Sequence, residues 1–113
     1  MCFTGNFALS MMLEPAVLAP VLSQPSLPIT NSAGMHIAPA ELAEVKARMI
    51  REDLTVLAYR FAGDKLCKQQ RFDAYQAALG DRFEGHVLPD SAANPGTSIA
   101  PHSVVTLHLI DEA

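Results

Sequence analysis

With 113 residues, half of them hydrophobic, and a mean hydropathy of +0.18, the chain is long enough for one domain with a sizeable core and too apolar to stay disordered. Eight basic against twelve acidic residues give a net charge of -4, and no Lys or Arg precedes Lys46, which excludes the basic footprint that DNA, RNA or an anionic membrane surface requires. Only two cysteines occur, Cys2 and Cys67, without Cys-x-x-Cys spacing; this excludes a disulfide framework or a zinc ribbon and predicts reduced thiols in a cytoplasmic protein.

The first stretch, FALSMMLEPAVLAPVLS, is apolar but has no positive leading region. Glu14, Pro15 and Pro20 interrupt it well short of the roughly 20 apolar residues that a membrane-spanning helix needs. It predicts a helix over residues 3–14, apolar almost all round, buried on several sides and stopped at Pro15. VLAPVLS then predicts a short buried strand, which Pro20 confines to a strand start or a sheet edge because it cannot donate to a ladder. A loop from Gln24 to Gly34 leads into APAELAEVKARMIRED, a surface helix with Pro39 in its first turn. Its inner stripe is Leu42, Val45, Met49 and Ile50, and Glu44 stands four residues before Arg48. LTVLAYRF predicts a strand that ends at Ala62-Gly63-Asp64. A second amphipathic helix follows over about residues 66–79, with Phe72, Tyr75 and Leu79 inward and Gly80 as its stop. FEGHVLP predicts a third strand; a loop from Pro89 to Pro101 then reaches His102, and SVVTLHLIDEA predicts a last helical piece.

Such alternation predicts an α/β fold, a mainly parallel sheet covered by helices, whose ligands gather at the carboxyl ends of the strands. Asp64 follows one strand, His102 ends the loop leaving the next, and Cys2 holds the equivalent place for a strand before the first. Nucleophile, acid and histidine in that order are the chain order of α/β-hydrolases. A thiol at a helix start has its thiolate favoured by the dipole, an imidazole strengthens that, and a carboxylate orients the imidazole. Each residue also has a plain local role. Asp64 suits a helix cap, His102 beside Pro101 a surface histidine, and Cys2 a small hydrophobe near a chain end. Cys67 is assigned to packing or the helix surface. His36, His86 and His108 are assigned to structural roles, because their scatter gives no metal-ligand spacing.

Taken together, CFTGNFAL, VLSQPSLP, RFAGDKLC, LGDRFEGHVLPDSA and PHSVVT resemble the C-terminal part of a dienelactone hydrolase family protein over nearly the whole chain. The resemblance implies a single partial α/β-hydrolase domain over residues 1–113, the C-terminal half of the sheet with the N-terminal half absent. It assigns Cys2 as nucleophile, Asp64 as acid, His102 as general base and the backbone N–H of Phe3 as an oxyanion-hole donor. It further implies cleavage of a small-molecule ester or lactone through an acyl-thioester, with no metal or organic cofactor. Two departures from the family's Gly-x-Cys-x-Gly-Gly elbow are visible: the leading glycine is absent because the chain starts at Met1, and Thr4 stands at the first of the paired glycines. No Lys or Arg follows His102 to hold a substrate carboxylate. The expectation is therefore a fragment that begins inside an elbow and self-associates through an open sheet edge. The alternative is a non-catalytic remnant or self-associating interaction module. A thiol redox protein has less support, since no resolving cysteine neighbours Cys2.

Overall fold

The computed structural model describes residues 1–110. Three parallel strands, β1 (Val21–Ser23), β2 (Val56–Phe61) and β3 (Phe83–Leu88), form one sheet in the order β1-β2-β3. Val21 lies opposite Leu57, and Val56 opposite Phe83. Strand alternation sends Leu22, Val56, Ala58 and Phe83 to one face and Tyr59, Phe61 and Leu88 to the other.

The helices are α1 (Cys2–Gly5), α2 (Phe7–Ser10), α3 (Pro39–Arg51) and α4 (Gln69–Leu79). Leu9, Met12, Val45, Met49, Phe72, Tyr75 and Leu79 all pack on the first face and make the main core. The topology explains this one-sidedness: in a sheet that grows in one direction, each right-handed crossover lands on the same side. The second face carries a smaller cluster in which Ala93 and Val104, from the segment after β3, pack with Phe61 of β2. Among the described residues, no helix is long and apolar enough to cross a membrane.

The elements differ from the sequence expectations in five places. The N-terminal apolar run is not one helix buried all round; α1, α2 and a 3-10 turn over Met11–Leu13 follow one another. Asn6 stays in the helical region (φ -68, ψ -26), but its buried amide donates to the carbonyls of Cys2 and Phe3, both at 3.0 Å, and so competes with the helix ladder. Gly5, Leu9 and Met12 face the core, whereas Phe3, Phe7 and Met11, spaced by four, are 49%, 44% and 59% exposed. The sheet stops at β1, so only one flank of these helices has a layer to bury against.

The strand predicted over residues 17–23 is only Val21–Ser23; Pro20 contributes a carbonyl to Leu57 N–H (3.2 Å) and nothing more to the ladder. On α3, Val45 and Met49 are buried as predicted, but Ile50 is 68% exposed and Arg48 takes the inner position instead. Arg48 pairs with Glu52, not Glu44, and caps the carbonyls of Met12 (2.5 Å), Glu14 (2.8 Å) and Pro15 (2.9 Å). α4 starts at Gln69, later than predicted, because Asp64 first draws the chain into a turn. Gly80 ends that helix at φ +59, a left-handed value that suits glycine. The final helix predicted from residue 103 is a series of turns as far as residue 110, with Thr106 N–H bonded to Ser103 O and Leu109 N–H to Thr106 O. The β-branched run Val104-Val105-Thr106 favours helix weakly, and the His108 ring captures the first amides. Residues 111–113 of that predicted helix lie outside the described residues.

Candidate functional site

Cys2 opens α1 at φ +51, in the left-handed region that a non-glycine residue rarely occupies. Two contacts fix it beside the carboxyl end of β1. A Cβ on Gly5 would stand 2.8 Å from Ser23 O, so glycine is what lets α1 approach the strand this closely. The N–H of Ser26 also donates to Cys2 O at 3.3 Å. Thr4, at the other position of the expected glycine pair, is exposed and turns its hydroxyl to Met1 O (2.7 Å), so nothing there requires a glycine.

Asp64 follows β2 and is 4% exposed. Its Oδ1 accepts the N–H groups of Leu66 (2.8 Å) and Cys67 (2.9 Å), while its Oδ2 lies 2.7 Å from His102 Nδ1. Asp64 is thus not the cap of α4, whose N-cap is Lys68; one of its oxygens holds the turn before that helix and the other meets the imidazole. Three supports hold this loop. Gly63 N–H donates to Asp90 Oδ1 (2.8 Å) at a point where a Cβ would displace the Asp90 carboxylate, and Ala62 N–H donates to Leu88 O (2.8 Å). The buried Arg60 guanidinium spans the loop, donating to Ala62 O at 3.0 Å and to Cys67 O at 2.7 Å.

His102 completes the row. Its Nε2 lies 3.2 Å from Cys2 Sγ, a contact between residues a hundred positions apart. The structure therefore brings together all three side chains singled out in the sequence. Phe3, the predicted oxyanion donor, follows Cys2 in α1 with its side chain half-exposed.

Electrostatics favour charge separation across this row. Burial pushes the Cys2 thiol up, but hydrogen bonds from His102 and Ser26, the His102 charge and the Phe3 N–H together hold it below its ordinary value. The hydrogen bond to Asp64 raises His102 to about 9 against the opposing effect of burial, with Cys2 adding to the rise. Both shifts move the pair toward a thiolate beside an imidazolium. Cys67 behaves oppositely: burial first, then the Asp64 charge, push it up to about 12, so it stays a thiol.

The remaining histidines sit elsewhere. His36 meets Phe7 edge-on at 5.3 Å, and His86 stacks on Tyr59 at 4.8 Å with Glu84 2.8 Å away. His108 is fully buried behind His102. Among the described residues, no group of three or more His, Cys, Asp or Glu side chains is placed to hold a metal ion.

Sequence reasoning missed the supporting residues Ser26, Arg60 and Asp90, and gave His108 a structural role without its partners. For Arg60 a signal existed: strand parity puts it on the same face as Val56 and Ala58, where a cation needs a dedicated set of acceptors. The others carry no local signature. Comparison with known proteins finds no matching family model, no matching curated protein and no matching solved structure.

Proposed function

We propose that the protein hydrolyses small-molecule esters or lactones, with Cys2 as nucleophile, His102 as general acid and base, and Asp64 orienting the imidazole. The fold in this proposal is the C-terminal part of an α/β-hydrolase sheet similar to that of the dienelactone hydrolase family. The observation that carries it is the continuous row from Asp64 Oδ2 through the His102 ring to Cys2 Sγ, at 2.7 and 3.2 Å.

The Cys2 thiolate attacks the carbonyl carbon, and the oxyanion of the tetrahedral adduct takes the Phe3 N–H. Collapse breaks the carbon–oxygen bond of the leaving group, His102 Nε2–H protonates the departing alkoxide, and an acyl-thioester remains. His102, now neutral, removes a proton from water; the hydroxide releases the acid, and thiolate and imidazolium are restored. Asp64 keeps Nδ1 protonated throughout, which fixes the tautomer. No metal or organic cofactor takes part. The proposed compartment is the cytoplasm, where both thiols stay reduced.

The test is hydrolysis of a small activated ester by the purified chain, with intact-mass spectrometry for the acyl adduct. Turnover with an adduct confined to Cys2, and lost in Cys2→Ala, is the expected result. Equal turnover by Cys2→Ala sinks Cys2 as nucleophile. A second reading, a self-associating module without turnover, is favoured by one observation: β1 pairs with β2 alone and leaves Val21 45% exposed. A folded, silent, oligomeric sample would select it.

A further inference from the structure

We propose that His108 is the positioning residue of this site: its unprotonated Nδ1 is the acceptor that fixes the peptide of His102 and so aims the His102 ring between Asp64 and Cys2. The inference rests on the reading of Cys2 and His102 as a working pair.

The His108 ring is 1% exposed. Its Nδ1 lies 3.0 Å from the amide nitrogen of Ser103 and 3.3 Å from that of His102. Both amides are donors, so Nδ1 serves only as an unprotonated acceptor, and the ring proton sits on Nε2, facing Ile99 O at 3.4 Å. The main chain of His108 closes the same loop: its N–H donates to Ser103 O (3.1 Å), and its carbonyl accepts from Asn94 N–H (3.0 Å). The ring edge rests on Phe61 of β2 (6.0 Å, 69° between planes), which ties the assembly to the sheet.

This arrangement does work that no regular element does. The backbone at His102 and Ser103 belongs to neither helix nor strand, and neither amide has another acceptor among the described residues. Without the imidazole, the two donors lose their common anchor and the His102 peptide is free to swing. A proton-transfer pair separated by 3.2 Å tolerates little displacement.

A residue that merely fills space is replaceable by an apolar one, whereas an acceptor is not. His108→Leu keeps the apolar volume and removes the acceptor; His108→Asn gives up volume but can set an amide oxygen where Nδ1 stood. The readout is the pH dependence of Cys2 alkylation by iodoacetamide, followed by peptide mass spectrometry and independent of any ester. Under the proposal, His108→Leu slows alkylation at neutral pH by about tenfold and moves its midpoint toward that of an ordinary thiol, and His108→Asn restores most of the rate. A wild-type profile in the Leu variant, or equal impairment in both variants, overturns it. A second measurement needs no variant: nitrogen NMR of the histidines in the wild-type chain should show His108 Nδ1 unprotonated at neutral pH, and a protonated Nδ1 overturns the proposal. Absence of ester turnover with the expected alkylation profiles refutes the hydrolase reading and leaves the positioning role supported. An ordinary thiol profile for Cys2 in the wild type overturns both.

Discussion

Asp64 carries two duties on separate oxygens, and substitution separates them. In Asp64→Asn, the amide oxygen still accepts from Leu66 and Cys67, but its NH2 group faces His102 Nδ1 and imposes the wrong tautomer. Ester turnover should fall on the order of 10²- to 10⁴-fold, and the urea midpoint should fall only by what the His102 contact contributes, because the bonds to Leu66 and Cys67 remain. Asp64→Ala should lose the turnover and also about 1–3 kcal/mol of stability, because the buried amide of Cys67 is left without a partner. Equal stability of the two variants counts against the role of Asp64 in that turn. His102 gives a pH signature at the same scale. Its folded value, about 9, lies above the ordinary 6.5, so its contribution to stability is complete below pH 6.5 and disappears as pH rises through about 9. The stability gap between wild type and His102→Gln, measured by urea denaturation across that window, should shrink with rising pH; a gap that grows contradicts the Asp64 contact. The three side chains were legible in the sequence because each stands next to a break in the hydrophobic pattern. A backbone-holding role and a histidine partner looked like competing roles for Asp64 only because sequence cannot show that a carboxylate points its oxygens in two directions.

Between the elements, the joints are buried arginines. Arg48 closes the end of the N-terminal helical run, Arg60 spans the Asp64 loop, and Arg71 holds the loop after β1. Arg71 has no exposed surface; its guanidinium donates to the carbonyls of Leu27, Pro28 (2.8 Å), Asn31 (3.1 Å) and Gly34 (2.9 Å). An ammonium has three donors on a point charge and cannot reproduce a planar fork over four carbonyls. Arg71→Lys should therefore cost on the order of 2–4 kcal/mol, read as a lower denaturation midpoint, and an unchanged midpoint would exclude the role. Both α3 and α4 were visible from their periodicity, and β2 and β3 from their β-branched and aromatic runs. The arginines were not, because their acceptors are carbonyls 33 to 44 residues away in Arg48 and Arg71, and carbonyls have no residue code. The missing C-terminal helix has the same origin: the His108 side chain takes amides that a helix model leaves to water.

On the scale of the molecule, the parallel sheet follows from the alternation read in the sequence, but the one-sided placing of the helices and the way the sheet ends do not. β1 has three residues, with Pro20 before it and Pro25 two residues after. Pro20 O and Gln24 N–H bond toward β2, so alternation turns the backbone groups of Val21 and Ser23 to the open side, and α1 already crowds Ser23 O. The free edge therefore offers the peptide groups of Val21 and little else, too short a template for extended strand pairing. Any self-association has to draw on the apolar surface that continues from Val21 across the second face, where Val21, Tyr59, Phe61, Leu88, Val104 and Leu109 line a groove of about 600 Å³. Two copies each carrying a charge of -4 repel weakly, and salt screens that repulsion without weakening apolar contact. Sedimentation should show association that rises with protein concentration and strengthens with salt. Val21→Lys puts a cation at both the edge and the groove mouth and should weaken association by about tenfold while leaving Cys2 alkylation unchanged. Monomer at every concentration, or association indifferent to Val21→Lys, removes this surface as the contact.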